Sequence, residues 1–228
     1  MDLETLEEKI GVVFINKSFV SEAITHRSYL NENPNWEFSN NERLEFLGDA
    51  VLELVVTEEL VKRFPEKEEG ELTLYRAALV NAKTLAMVAN EIGLDKELLV
   101  SRGESKDLLT RGKDSISADG VEALIGAIYL DQGYEVSKKF VMRFVVHLLS
   151  KVVINGGKDP KSMVQEIAQE EFSVTPYYKV IDETGPAHEK TFKVGLYFGD
   201  ELKSKGIGHS KQEAEAEAAR RLLKTLKL

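Results

Sequence analysis

The sequence predicts two domains, an all-α domain followed by a smaller α+β domain of order α-β-β-β-α. Three observations predict this. Apolar residues recur at helical spacing through the first two-thirds of the 228 residues. Within the last third, from Tyr177 onward, the pattern changes to strand-like runs, the first two rich in Tyr, Val and Phe. Between the two regimes lies Asn155-Gly156-Gly157-Lys158-Asp159-Pro160, which reads as a short linker. The expected boundaries are therefore 1–154 for the helical domain, 155–159 for the linker and 160–228 for the second domain.

The elements follow in order. Leu3, Leu6, Ile10 and Phe14 recur at helical spacing, and Ser18 is placed to cap a helix through Val20, Ala23 and Ile24. Asn31-Glu32-Asn33-Pro34-Asn35-Trp36 reads as a polar loop. From Asn40 to about Phe64 a long helix is expected, with Leu44, Leu47, Val51, Leu54 and Val55 inward and Pro65 beyond its end. Further helices are expected over Glu71–Ile92, stopped by Gly93, over Ser115–Leu130, stopped near Gly133, and over Glu135–Val152. In the second domain, Asp159–Phe172 is a helix with Met163, Val164, Ile167 and Ala168 inward. Residues 177–181, 191–198 and 202–208 are strands, with a turn at Gly199-Asp200. Ser210 opens a last helix whose stripe is Ala214, Ala218, Leu222 and Leu226. An antiparallel sheet with both helices on one face is the simplest layout.

Composition narrows the chemistry. The chain has no cysteine, which excludes disulfides, Cys-ligated zinc and thiol nucleophiles. No apolar run approaches the roughly 18 residues of a membrane span, and the acidic start reads as neither signal nor transit peptide. A cytoplasmic protein without a membrane partner is expected. The net charge is −9, which alone argues against a nucleic-acid partner. Its distribution is uneven, however. Residues 158–228 hold 12 basic and 12 acidic side chains, so the whole surplus belongs to residues 1–157, with 18 basic and 27 acidic. P-loop, dinucleotide-binding and nucleophile-elbow motifs are absent, and the four histidines form no ligand pair.

Two acidic clusters stand out. Glu42, Glu45 and Asp49 lie at i, i+3 and i+7 of the long helix and share a face. Gly48 interrupts that helix at a cost of ~1 kcal/mol relative to alanine, which points to close approach of another chain or ligand. Asp119 and Glu122 lie at i, i+3 of a later helix, with Gly120 between them. Spacing alone leaves two readings open. The acids form a solvated face, or the two helices together build an oxygen-rich cage for Mg²⁺ or Mn²⁺. A cage of that kind would activate water and stabilise a transferring phosphoryl group.

Asn41-Glu42-Arg43-Leu44-Glu45-Phe46-Leu47-Gly48-Asp49-Ala50 resembles the signature of ribonuclease III endonuclease domains. Asp119-Gly120-Val121-Glu122-Ala123-Leu124-Ile125-Gly126-Ala127 resembles the second acidic motif of that domain, and Thr25-His26-Arg27-Ser28-Tyr29 a third block. Residues 158–228 resemble a double-stranded RNA-binding domain, so the order matches the bacterial ribonuclease III layout. The resemblance implies a homodimer that hydrolyses double-stranded RNA with Mg²⁺, or Mn²⁺ in its place, and no small-molecule cofactor. The implied products carry 5′-phosphate and 3′-hydroxyl ends with short 3′ overhangs, and precursor ribosomal and other structured RNAs are the implied substrates. Glu45, Asp49, Asp119 and Glu122 match the metal-binding carboxylates, with Glu122 and Asp49 most closely tied to catalysis. Glu42 and Glu69 match outer acidic positions, and Phe46 a residue packed across the dimer interface.

In the second domain the resemblance places Ser162, Gln165 and Glu166 in one minor groove and the Gly185-Pro186-Ala187-His188 loop, with Pro186 and His188, in the next. Ser210 and Lys211 would face the phosphates between them. The family pattern has two adjacent lysines here. This chain has Lys211 followed by Gln212, which lowers the expected salt slope by about one unit at most. Two readings from other classes compete: a duplex-binding protein with an inactive nuclease-like domain, and a helical protein whose acidic face takes a basic partner.

Overall fold

The computed structural model describes residues 3–107, 113–154, 160–186 and 190–226. It divides into two compact units, Met1–Gly157 and Lys158–Leu228. Residues 155–159, expected as a linker, lie outside the described residues.

The first unit is helical: α1 (Leu3–Ile10), α2 (Lys17–Ala23), α3 (Arg27–Glu32), α4 (Glu42–Arg63), α5 (Glu69–Val80), α6 (Ala82–Ile92), α7 (Arg102–Asp107), α8 (Lys113–Gln132), α9 (Tyr134–Phe144) and α10 (Leu149–Ile154). α8 runs through the centre and packs against α2, α4, α6 and α9. Its sequence suits that place. Val121, Ala123, Leu124, Ile125, Ala127 and Ile128 are all fully buried, so the helix is apolar around most of its girth.

Several boundaries differ from expectation. The cap of α2 is Asn16, not Ser18, because the Asn16 side chain accepts from the Ser18 amide at 3.0 Å and from the Ser18 hydroxyl at 2.8 Å. Part of the expected loop at 31–36 is helix α3, capped by His26. The single helix expected over 71–92 is two. Asn81 takes extended backbone angles, and its side chain accepts from the Thr84 amide at 3.0 Å, which restarts the chain as α6. Gly93 does end α6, in the left-handed conformation. The helix expected over 135–152 breaks into α9, a 3₁₀ turn at Val146–Leu148, and α10. On α4, Leu54 is 50 % exposed. The buried stripe runs instead through Leu44, Gly48, Val51, Leu52, Val55, Val56 and Leu60.

The second unit contains α11 (Pro160–Phe172), β1 (Pro176–Thr184), β2 (Thr191–Phe198), β3 (Glu201–Gly208) and α12 (Lys211–Leu226). The sheet is antiparallel in the order β1-β2-β3. Val164 and Ala168 of α11 and Ala218, Ala219, Leu222 and Leu223 of α12 bury one face of the sheet against Leu196 and Phe198. The Ser204 hydroxyl donates to the Ala218 carbonyl at 2.7 Å and ties β3 to α12. Leu226, expected in the stripe, is 37 % exposed as the last residue of α12.

Candidate metal centre and nucleic-acid interface

The acidic clusters meet because two glycines let two helices touch through their backbones. A Cβ built on Gly48 would stand 1.7 Å from the Glu122 carbonyl oxygen and 2.9 Å from the Gly126 nitrogen. One built on Gly126 would stand 2.2 Å from the Leu44 carbonyl oxygen. Only hydrogen fits at either position. The close approach at Gly48, expected from another chain or a ligand, is made instead by α8 of the same chain, and Gly126 is its counterpart. Gly120 serves a different neighbour: its missing side chain leaves room for Leu98, whose Cδ2 would lie 2.8 Å from a Cβ there.

This crossing brings one carboxylate oxygen each of Glu45, Asp119 and Glu122 within 4.8 Å of one another. All three residues are half-buried. Asp49 is exposed and lies outside that tight trio, yet its charge acts on both Glu45 and Glu122. Burial, and then the charges of Asp49, Asp119, Glu45 and Glu53, push the Glu122 carboxyl up to about 8. Burial, followed by Asp119, Glu42 and Asp49, raises Glu45 as well. Asp119 is raised by burial and partly relieved by His26. Burial raises all three carboxyls, with mutual repulsion added at Glu45 and Glu122, and an oxygen-rich cluster of that kind is one that a hard cation would neutralise.

The outer acids separate. Glu42 is exposed, 3.4 Å from the Arg27 guanidinium, and accepts from the Asn40 side chain at 3.2 Å. Its charge reaches Glu45, so it borders the trio. Glu69 begins α5 and accepts from the Thr73 hydroxyl at 2.9 Å within its own helix. The structure does not bring Glu69 into the carboxylate group. Glu53 does reach Glu122, and sequence reasoning missed it. The signal was present, since Glu45, Asp49 and Glu53 repeat at i, i+4 and i+8.

The Thr25–Tyr29 block holds the site in place. The amide of buried Asn41 donates to the Thr25 carbonyl at 2.9 Å and its side chain to the Ala23 carbonyl at 3.3 Å, fixing the start of α4. The Thr25 hydroxyl donates to the Ser21 carbonyl at 2.7 Å and accepts from the Trp36 indole at 3.2 Å. His26 Nδ1 accepts from the Ser28 amide at 3.3 Å, and the Ser28 hydroxyl accepts from the Ser101 amide at 3.0 Å.

Phe46 projects from the same helix and is 83 % exposed, so it is not a core residue. It forms one wall of an open hollow whose floor is apolar, with Phe19, Leu44, Leu47 and Leu130, and whose other walls are the charged Glu22, Glu42 and Arg43.

In the second unit, Ser162, Gln165 and Glu166 lie exposed on α11, and Pro186 is exposed past β1. His188 lies outside the described residues. The Ser210 hydroxyl accepts from the Glu213 amide at 3.1 Å and starts α12. Lys211 is exposed, with Nζ 3.8 Å from a Glu183 oxygen.

Residues 16–149 match the family model described as ribonuclease-III-like. The chain belongs to the ribonuclease III family. Residues 160–226 match the double-stranded RNA binding motif. The curated Ribonuclease 3 of Desulforamulus reducens is 43 % identical over 94 % of this chain and 87 % of its own length. That of Campylobacter fetus is 40 % identical over 99 % of both. A solved structure of the ribonuclease III nuclease domain from Campylobacter jejuni, described for flexibility in the region of dimer formation, superimposes with a TM-score of 0.57. It is 41 % identical and covers 64 % of this chain and 96 % of its own. This ribonuclease III is accordingly an endoribonuclease that acts on double-stranded RNA, with an RNA-binding domain after its helical nuclease domain.

Proposed function

We propose that this ribonuclease III cuts double-stranded RNA in a divalent-metal-dependent reaction, with Glu45, Asp49, Asp119 and Glu122 holding Mg²⁺ or Mn²⁺. The observation that carries the proposal is the convergence of Glu45, Asp119 and Glu122 within 4.8 Å at the α4–α8 crossing. The residues fit the group, being all-oxygen donors on rigid helices. A divalent ion held by these carboxylates would supply an activated water and neutralise charge on the phosphoryl group.

The remaining work falls to the chain. Glu122, with its carboxyl pushed up to about 8, holds a proton near neutral pH and releases it when a cation enters. The Gly48–Gly126 contact fixes the spacing of the carboxylates. Asp49, at the exposed rim, completes the donor set as the phosphate approaches. Glu42 borders the cleft beside Arg27.

We assign duplex contact to Ser162, Gln165, Glu166, Pro186, His188, Ser210 and Lys211, on a domain spanning 160–228 joined to the catalytic domain 1–154 by 155–159. The enzyme works as a homodimer, with Phe46 of each protomer seated against Phe19, Leu44, Leu47 and Leu130 in the partner's hollow, inside its charged rim of Glu22, Glu42 and Arg43. Exposed phenylalanine beside an apolar recess is the complementarity that a two-fold interface repeats twice. Each protomer then cuts one strand, leaving 5′-phosphate and 3′-hydroxyl ends with a short 3′ overhang. Precursor ribosomal and other structured RNAs are the cytoplasmic substrates we infer from family membership. No covalent intermediate is required, and no small-molecule cofactor.

The test is a duplex-cleavage gel with and without Mg²⁺ on wild-type protein and Glu122→Gln. Cleavage only by wild type and only with metal is expected. Cleavage in a chelator, or by the variant at the wild-type rate, contradicts the site.

A further inference from the structure

The helices of the second unit cover one face of its sheet; the other face is open and has its own chemistry. Strand register places three rows on it: Tyr177, Tyr197 and Leu202; then Lys179, Gly195 and Lys205; then Asp182, Lys193 and Ile207. The first row is aromatic. Tyr177 and Tyr197 stack with centroids 5.2 Å apart and planes 10° apart, and Tyr177 is 44 % exposed. Ile181, Leu202 and Ile207 are also exposed, at 43 %, 38 % and 50 %. The tips of Tyr197, Ile181 and Leu202 close over Gly195, where a Cβ would meet them at 2.7–2.9 Å. The face is thus an apolar and aromatic centre flanked by lysines, with Lys179 and Lys205 roughly 10 Å apart across two strand spacings.

The lysines differ from their neighbours. Lys161, Lys190, Lys203 and Lys211 each lie against a glutamate. Among the described residues, Lys179, Lys193 and Lys205 have no such partner within 4.0 Å. Lysines without an ion-pair partner, Lys179 and Lys205 on the central row and Lys193 across from Asp182, around a π-stack in an RNA-binding domain fit one ligand best. Paired bases are stacked on one another and offer no face to a tyrosine, whereas unpaired bases do. An acidic polypeptide would satisfy the lysines but has no use for the ring stack.

We propose that the open sheet face binds single-stranded RNA, with an unpaired base continuing the Tyr177–Tyr197 stack and Lys179, Lys193 and Lys205 holding its phosphates. The site lies across the sheet from α11 and the start of α12, so a duplex flanked by an unpaired tail can engage both. It is independent of the carboxylate site.

The test measures fluorescence anisotropy of the full chain in a chelator, which keeps the RNA intact. The probes are a blunt duplex, the same duplex with a 3′ tail of about ten unpaired nucleotides, the scale of a single-strand site, and the tail alone. The tail should tighten binding about tenfold, the worth of one stacked base. Tyr177→Ser combined with Lys179→Ser and Lys205→Ser should remove that gain while blunt-duplex affinity is unchanged. Lys179→Glu alone should remove part of it, and Tyr177→Phe should keep it. A tail that adds nothing overturns the proposal, as does a gain that survives the triple variant. Displacement of the tail probe by polyglutamate as readily as by unlabelled oligonucleotide overturns it in favour of an acidic protein partner.

Discussion

The α-carbon hydrogen of Gly48 points straight at the main-chain carbonyl of Glu122, with room for nothing larger: a Cβ on Gly48 would sit 1.7 Å from that oxygen. The residue that closes the helix crossing and the residue with the most perturbed carboxyl are therefore the same. Site geometry and helix packing are one constraint, and variants should show them failing together.

Gly48→Ala is expected to force α4 and α8 apart. Overpacking of this kind costs about 1–3 kcal/mol, and more when backbone must move. Thermal unfolding should show a lower midpoint, and cleavage should fall further than stability, because spreading the carboxylates weakens metal binding. Gly126→Ala should do the same through Leu44. Gly120→Ala meets only the Leu98 side chain and should be milder.

The raised Glu122 carboxyl makes stability depend on pH in a defined direction. Burial and the neighbouring carboxylates push folded Glu122 up to about 8 from an ordinary 4.5 in the unfolded chain, so the folded state binds more protons between those values. Metal-free protein should therefore lose stability as pH rises from about 4.5 through about 8. Glu45 and Asp119, also raised, add to the slope in the same sense. Glu122→Gln should flatten the profile and raise the midpoint at alkaline pH by a few degrees. That corresponds to about 1–2 kcal/mol once solvent screening of a half-exposed group is allowed for. A midpoint that rises with pH across this window, measured in a chelator, would reverse the assignment.

Divalent metal competes with those protons. Apparent Mg²⁺ or Mn²⁺ affinity, followed by the rise in unfolding temperature on titration, should increase with pH until Glu122 is ionised. The same titration on Glu122→Gln should give a smaller rise. RNA binding near the cleft should weaken when metal is removed from wild type and recover in the variant, because one unshielded charge is gone.

How much of this was legible beforehand varies by element. The change of period at the second unit located all three strands: β1 and β2 through their Tyr, Val and Phe residues, and β3, whose only β-branched residue is Ile207, through the Gly199-Asp200 turn that precedes it. Helix interiors were legible too, whereas breaks set by one side chain were not. Asn81 ends one helix and caps the next through a bond that apolar spacing does not encode. The acids were visible as rows, but nothing in the helical spacing showed that Asn41, at the start of the long helix, anchors α4 to the carbonyls of Thr25 and Ala23. Gly48 signalled a close approach without naming the partner. Pairing it with Gly126 requires knowing that the two helices cross. Glu69 shows the converse, an acid at a suggestive position whose carboxylate is satisfied within its own helix.

Lys211 should contribute as a point charge to duplex binding. Lys211→Ala is expected to weaken binding uniformly across sequences and to lower the salt slope by about one unit. Gln212→Lys should steepen the slope by a similar amount. Binding isotherms over a range of KCl concentrations measure both, and an unchanged slope would remove Lys211 from the phosphate contacts.

Phe46→Ser tests the dimer. The side chain is 83 % exposed, so its loss should leave the fold intact. Analytical ultracentrifugation should show the wild type as a dimer and the variant shifted toward monomer, with cleavage falling in step. A wild-type monomer that cleaves duplex at full rate would contradict the interface.

The most direct test of the central claim is Mg²⁺-dependent cleavage of a duplex by Glu122→Gln, measured beside duplex binding on the same preparation. The account predicts that cutting is lost and duplex affinity is retained. Cutting at the wild-type rate would contradict it.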